Sequence, residues 1–324
     1  SLDERFANPL TALVAGNNSY GQIGFTNKTN KEVIVPTQMA VITKQSAQNH
    51  GMTKAGYLAK MASVTYNDAG CVQGSQCGTF RGTQEFRMIP VTMREMVFDT
   101  VGLPHNLSRI YPAVEKLGQD TQSGTGKYLD VYFNKYDKKL DEFIAHFERP
   151  KNLIGIIVLI DGEIVAIDKF PSFTYAEQVW DLMIRDCYGA LAIISELKNK
   201  SADYAFTEAY EEVKKAHQEN VIDMLEKALK KTKKTMTDNV TEKIQEILDL
   251  TFDATIDVEG NPSASSTAPK SYMLKRDGYI GQVITENEFN HMVSIVKRER
   301  FNPNALWEVN ELRKWARKQE KFSL

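Results

Sequence analysis

The sequence predicts an α+β fold with a β-rich N-terminal half, two related β-hairpins, a long helical insertion and a C-terminal helix. Three observations indicate this class. The first 100 residues are rich in Val, Ile, Thr and Gly, two later segments share a strand–turn–strand layout, and the segments around them repeat apolar residues at helical spacing. Each pattern matches the side-chain period of one kind of element.

The strands of the N-terminal half are indicated by short alternating segments at residues 21–25, 32–35 and 86–91. Helical signals follow them. Between residues 127 and 147 the apolar side chains recur every three or four positions, which predicts an amphipathic helix. A second pattern of this kind, at residues 174–197, predicts a helix that packs on the hairpin before it.

Two β-hairpins are predicted at residues 154–170 and 278–296. The first has two β-branched runs joined by Asp161-Gly162, a pair favoured in two-residue hairpin turns. Few residues are identical between the two segments, but their plan is the same. The corresponding positions are Ile154-Gly155 with Ile280-Gly281, and Asp161-Gly162 with Asn287-Glu288.

The order of these segments suggests one enlarged α+β unit with an insertion and an arm. A length of 324 residues would also fit two domains at about 150 residues each. The paired hairpins on either side of a helical stretch favour the single unit. We therefore divide the chain into a first part of the core (1–200), a helical insertion (201–260), a closing part of the core (261–300) and a C-terminal helical arm (301–324).

Composition excludes several classes of protein. The net charge of −2 implies no bulk attraction to nucleic acid or to an anionic membrane. The longest apolar run, residues 153–160, is far shorter than the roughly 20 residues of a membrane helix. Cys71, Cys77 and Cys187 are too few for a disulfide framework and indicate a reducing compartment. We expect a cytoplasmic protein, in the host cytoplasm or virion if it is viral, with no membrane partner.

The C-terminal arm is the part of the chain that best fits a partner surface. Residues 297–321 contain eight Lys and Arg against four Asp and Glu, and two Trp lie among them. We predict that Trp307, Arg313, Trp315 and Arg317 contact a protein partner or a second copy. Nucleic acid is the weaker alternative, because the chain as a whole is not basic.

The cysteines offer little chemistry by their spacing alone. Cys71 and Cys77 are six positions apart, wider than zinc sites use, and no second ligand pair follows them. We predict no metal and no cofactor. Cys71 could act as a nucleophile only if the fold brings His50 or His105 beside it as a base.

Asp168 is the carboxylate of most interest. It ends an apolar strand just before Phe170-Pro171-Ser172. It could act in acid–base catalysis, or it could cap the helix that follows, and capping is the preferred interpretation.

These segments resemble the ARG (ADP-ribosylglycohydrolase) and rhodanese-phosphatase-superfamily-associated protein domain family. The resemblance rests on residues 123–147, 154–191 and 278–296. Two shorter segments, TKQ at 43–45 and CVQG at 71–74, are similar to family landmarks. The resemblance implies an α+β scaffold and a link to ADP-ribose or NAD metabolism.

The sequence departs from the family pattern at two of its polar landmarks. An acidic turn of the family is replaced by residues that include Gln38, Met39 and Ala40, and an Asn-Arg pair is replaced by Ser46-Ala47. If the family site uses those groups, this chain has lost part of it.

Two functions follow as expectations. The first is a non-enzymatic interaction or assembly protein, with a phage structural protein as one form of it. The second is an enzyme or ligand-binding protein for a nucleotide such as ADP-ribose. In the second, Lys44 would hold an anion, Gln45 and Gln73 would orient the ligand, and Asp168 or Cys71 would be catalytic.

Overall fold

The computed structural model describes residues 4–16, 21–43, 49–74, 84–104, 108–124, 126–160, 163–199, 254–256, 269–276, 278–286 and 289–298. Several predictions lie outside these residues. They are the C-terminal arm, nearly all of the helical insertion, both hairpin turn pairs, and the candidates Lys44, Gln45, Trp307, Arg313, Trp315 and Arg317.

The described helices are α1 (Pro9–Ala12), α2 (Val91–Asp99), α3 (Tyr111–Asp120), α4 (Leu129–Ile144), α5 (Phe173–Leu182) and α6 (Gly189–Asn199), with a π-helical segment at Met183–Tyr188. The described strands are β1 (Leu13–Ala15), β2 (Ile23–Asn27), β3 (Val33–Val35), β4 (Met39–Thr43), β5 (His50–Gly51), β6 (Gly56–Leu58), β7 (Ser63–Tyr66), β8 (Gly70–Cys71), β9 (Gln84–Met88), β10 (Gly155–Ile160), β11 (Glu163–Lys169), β12 (Ala254–Ile256), β13 (Lys270–Arg276), β14 (Tyr279–Glu286) and β15 (Phe289–Lys297).

The α+β class and the β-rich N-terminal half are confirmed. The first nine strands form three small antiparallel sheets, ordered β1-β2-β7, β3-β6 and β8-β5-β4-β9. None of the helices in the described ranges is long and apolar enough to cross a membrane.

The two predicted hairpins are neighbours in one antiparallel sheet of six strands. The order of this sheet is β10-β11-β15-β14-β13-β12, so the second strands of the two hairpins pair with each other. Ile160 lies opposite Glu163 and Glu286 opposite Phe289, so the paired strands reach the positions that flank each predicted turn. Hairpins far apart in the chain thus complete a common sheet.

The corresponding glycines of the two hairpins lie where a neighbouring strand approaches closely. A Cβ atom on Gly155 would lie 2.5 Å from the carbonyl oxygen of Asp168, and one on Gly281 would lie 2.6 Å from Cγ1 of Ile295. These distances are shorter than carbon contacts in proteins, so any larger side chain would displace the neighbouring strand. The shared Ile-Gly pattern therefore has a steric basis.

The helices agree with the sequence in the middle of the chain and differ near residue 90. The predicted helix at residues 127–147 appears as α4, and the predicted helix at 174–197 appears as α5, the π-helical segment and α6. The prediction of a strand over residues 86–91 was wrong at its C-terminal end. β9 stops at Met88, and α2 begins at Val91 after Pro90.

The largest hydrophobic core lies between the helices and one face of the six-stranded sheet and extends to residues of the N-terminal strands, such as Ile34 and Met88. It includes Leu129 and Leu140 of α4, Val179 of α5, and Ala166 and Val296 of the sheet. A second core fills the N-terminal sheets, and a third lies on other positions of the six-stranded sheet.

Candidate functional site

Asp168 lies at the centre of a buried polar network. Nη1 of Arg94 donates to both carboxylate oxygens, at 3.1 and 3.0 Å. The amide of Gln38 donates to Oδ1 at 2.8 Å, and the hydroxyl of Tyr188 donates to Oδ2. Asp168 and Arg94 are 1% and 2% exposed, so the ion pair is almost completely removed from water.

Three elements, together with the turn before β4 that carries Gln38, bring this network together. Asp168 is on β11, Arg94 is on α2, and Tyr188 ends the π-helical segment. Within that segment Asp186, Cys187 and Tyr188 are consecutive and buried. The wider π turn allows three neighbouring residues to point into the protein, which an α-helical stripe does not favour.

The electrostatics of the network keep Arg94 charged and Tyr188 neutral. Burial disfavours the charged guanidinium of Arg94, but the charge of Asp168 raises its pKa above the usual value. Burial and the same carboxylate raise the pKa of Tyr188 well above its usual range, so this phenol stays neutral and donates. Nη2 of Arg94 also donates to Sγ of Cys187 at 3.0 Å. Asp168 thus has bonded oxygens and almost no contact with solvent, as a structural carboxylate does.

The helix-capping interpretation of Asp168 was wrong. Ser172 is the N-cap residue of α5, and its Oγ accepts a hydrogen bond from the backbone N–H of Tyr175 at 3.1 Å. A serine is a preferred residue at this position because its oxygen satisfies a free N–H of the first turn. Asp168 lies four residues before Ser172, within strand β11 of the sheet.

A second charged cluster surrounds Asp186. Oδ1 of Asp186 accepts from Arg185 at 2.8 Å, and Oδ2 lies 3.3 Å from Nε of Arg87. Both arginines also donate to Asp137 of α4, at 2.9 and 2.6 Å. Burial raises the pKa of Asp186 to about 6, although both arginines act against this shift. Burial also acts on Asp137, but hydrogen bonds from the two arginines lower its pKa.

A polar cavity of about 380 Å³ opens beside this second cluster. Arg87 lies between the cavity and Asp186, and its guanidinium covers the ring of Phe133 at 4.1 Å. One carboxylate oxygen of Asp130 is buried there without a hydrogen-bond partner among the described residues. The lining residues are Ile42, Thr43, Glu85, Arg87, Asp130, Phe133, Asn134 and Asp137. Among the described lining residues carboxylates outnumber arginines, so this part of the cavity is a poor fit for a phosphate.

Cys71 lies beside His50, one of the two histidines that we named from the sequence as a possible base for a Cys71 nucleophile. The distance from Sγ to Nε2 is 3.4 Å, and both residues are buried. The backbone N–H of Gly21 also donates to Nε2, at 2.9 Å. This ring nitrogen is therefore an acceptor, so the neutral imidazole carries its proton on Nδ1. Burial raises the pKa of Cys71, which favours the unreactive thiol over the thiolate.

Gln73 lies two residues beyond Cys71. Its backbone oxygen accepts a hydrogen bond from the hydroxyl of Tyr111 at 2.9 Å, and its side-chain Oε1 is buried without a partner among the described residues. Asp168 and Cys71 belong to different clusters with different partners. The described candidates therefore do not form one open site.

An apolar groove of about 490 Å³ runs along β10, the edge strand of the six-stranded sheet. Ile157, Leu159 and Ile160 are 41%, 38% and 41% exposed, and Phe147, just after the end of α4, is 44% exposed. The groove is lined by Phe143, Phe147, Ile156, Ile157, Val158, Leu159, Ile160, Trp180, Ile184, Tyr188, Leu191, Ala192 and Ser195. None of these side chains is charged. Sequence patterning missed this surface because apolar side chains of a strand are normally assigned to the core.

No group of three or more His, Cys, Asp or Glu side chains that could hold a metal ion occurs within the described ranges. The polar clusters instead form hydrogen bonds and ion pairs within the protein.

The antiparallel sheets and the helices packed on them define an α+β protein with its charged network in the core. Residues 4–256 match the model of the ARG and Rhodanese-Phosphatase-superfamily-associated Protein domain, and the chain belongs to this family. The match ends before β13, β14 and β15, although β15 pairs directly with β11. The closing hairpin, which contributed to the sequence resemblance, is therefore outside the matched residues. Comparisons with curated proteins and with solved structures give no match.

Proposed function

We propose that this protein is a non-enzymatic interaction or assembly protein that binds an extended apolar protein segment along β10. The observation that carries the proposal is the uncharged groove beside this edge strand, with four large apolar side chains exposed. Edge strands of soluble proteins are normally protected by charges, prolines or bulges that twist them away. The strand GIIVLI has no charge and no proline, and of these features it has only a register shift against β11, between Val158 and Leu159. Exposed apolar surface of this kind is typical of a binding site.

The buried state of the polar candidates supports the same function. Asp168 is held by Arg94, Gln38 and Tyr188, and the pKa of Cys71 is raised by burial. At the position where the resemblance implies an acidic turn, Gln38 supplies a neutral amide that satisfies Asp168. A catalytic carboxylate must reach the proton that it transfers, and Asp168 has little access to a ligand.

Site-specific photo-crosslinking tests this function. A benzoylphenylalanine at position 147 would place the reactive group in the groove, while the same residue at position 128 serves as the control. Tyr128 is also an exposed aromatic residue, but it lies directly before the first residue of α4 and does not line the groove. We expect a protein adduct in the producing cells from position 147 and not from position 128. Equal labelling, or no adduct at 147, would exclude this function.

The alternative, a nucleotide or ADP-ribose enzyme or binding protein, is supported by the polar cavity at Thr43, which directly precedes Lys44 and Gln45 in the sequence. The described part of that lining has more carboxylates than arginines, which argues against a diphosphate there. A ligand present at 100 times its dissociation constant should stabilise the protein by about 2.7 kcal/mol. Thermal unfolding with and without ADP-ribose therefore separates the two functions, and we expect no shift.

A further inference from the structure

Resting on the proposed function, we infer that the segment bound along β10 is β10 of a second copy of this chain. The two strands would pair antiparallel and join two six-stranded sheets across their edges. Among the described strands, β10 pairs only with β11, so its other side faces the groove. Backbone groups on that side are the natural partners of an added strand.

The chemistry of the groove restricts what can be added there. A strand laid beside β10 would place alternate side chains against Phe143, Phe147 and Leu191, on the helical side of the sheet. Because none of the described lining side chains is charged, a charged segment would lose its hydration without gaining a partner among them. The occupant must therefore be an uncharged apolar strand of about six residues, which is about 20 Å of extended chain.

β10 itself meets this requirement. It has six uncharged residues, and its side chains are exposed or only half-buried. Ile156 and Val158 pack partly against the main core, so they mark the helical side of the strand. The other described strands without Asp, Glu, Lys or Arg have five residues or fewer, so each is shorter than β10.

A two-fold axis perpendicular to the sheet makes the pairing self-complementary. With this symmetry the same surface is used on both copies, and antiparallel strands result. The helices of both copies then lie on the same side of the joined sheet. The two grooves meet across the axis, and the helical-side residues of each β10 enter the groove of the other copy.

Sedimentation equilibrium on the full chain tests the inference. We expect a mass of twice 36.6 kDa for the wild type. Leu159→Lys and Ile160→Lys change exposed residues of the groove, and each should raise the dimer dissociation constant at least about tenfold. Leu103→Lys is the matched control, because Leu103 is 57% exposed and does not line the groove. The control should remain dimeric, and circular dichroism should show that each variant is folded.

A monomeric wild type, or a dimer that both lysine variants leave intact, would overturn the inference. The photo-adduct from position 147 distinguishes this failure from failure of the proposed function. An adduct with the mass of two chains agrees with pairing of two copies. An adduct with a different protein, together with a monomeric wild type, overturns the pairing and leaves the interaction function standing. A monomer without any adduct overturns both.

Discussion

At the scale of single residues, the ion pair of Arg94 and Asp168 has the largest expected effect on stability. Breaking a buried pair by removing one partner costs about 3–5 kcal/mol, because the remaining charge is left without compensation. Arg94→Met should therefore lower the free energy of unfolding by about this amount in urea titrations. Adding Asp168→Leu to this variant should recover part of the loss, since no buried charge then remains.

Arg298→Met provides the control for that measurement. Arg298 also pairs with two carboxylates, Glu95 and Asp99, but its side chain is 24% exposed. A partly solvated pair of this kind contributes about 0–1 kcal/mol. If Arg94→Met cost no more than Arg298→Met, Asp168 would not depend on Arg94 for its charge, and a reactive role for Asp168 would regain support.

Asp186 gives a prediction for pH dependence. Burial raises its pKa in the folded protein to about 6, whereas an unfolded aspartate has a pKa of about 3.9. Between these values the folded state binds more protons than the unfolded state. The contribution of Asp186 to stability is therefore present in full below about pH 4 and decreases as the pH rises to about 6.

Urea titrations between pH 4 and pH 7 on the wild type and on Asp186→Asn would measure this contribution. The stability of the variant relative to the wild type should rise across the interval as the wild-type contribution is lost. Asp181→Asn is the matched control, because Asp181 is exposed and pairs with Arg149 at the surface. A difference between wild type and Asp186→Asn that does not change with pH would contradict the raised pKa.

At the scale of elements, Gly155 sets how closely β10 lies against β11. A methyl group at this position would meet the carbonyl oxygen of Asp168, which is backbone and cannot rotate away. Gly155→Ala should therefore lower the free energy of unfolding by about 1–3 kcal/mol, as overpacking does.

Gly16→Ala is the control for this effect. The nearest atom to a Cβ on Gly16 is 3.8 Å away, which is an ordinary contact. Chemical denaturation of both variants would test the prediction. Equal stability of the two variants would mean that the strands separate at Gly155 without cost.

The elements also explain which parts of the fold the sequence could predict. The hairpins and α4 were predictable because each follows one period, of two or of about 3.6 residues, over a long segment. α2 was missed because it has buried Arg94 on its inner face, and a charged residue is normally assigned to the surface. The buried partners of Asp168 could not be predicted from the sequence either. They come from segments more than 70 residues away in the chain, or from a π turn that follows no helical stripe.

At the scale of the whole molecule, a row of polar residues joins the N-terminal sheets to the six-stranded sheet. Asp168, Ser294 and Gln282 lie opposite one another on β11, β15 and β14. Gln38 donates to both Asp168 and Ser294, at 2.8 Å each. This row lies inside the protein, so the two parts of the fold are held together by directional bonds as well as by apolar packing.

Gln282 tests this connection with least effect on the sheet. Its Nε2 donates to the backbone oxygen of Thr53 at 2.8 Å, and its Oε1 accepts from the backbone N–H of Ala55 at 3.0 Å. Gln282→Met keeps the length of the side chain but leaves both backbone groups buried and unsatisfied. Each such group costs about 1–3 kcal/mol, so the variant should be clearly less stable.

Hydrogen exchange locates the effect. The amide of Ala55 should lose protection in Gln282→Met by more than the loss of global stability explains, because the segment that carries it would open locally. Gln22→Met, at an exposed side chain that bonds Asn67, should leave this amide unchanged. If the Ala55 amide stayed as protected in Gln282→Met as in the control, the N-terminal sheets would be held by apolar packing alone, and the polar row would have no role in joining the two parts.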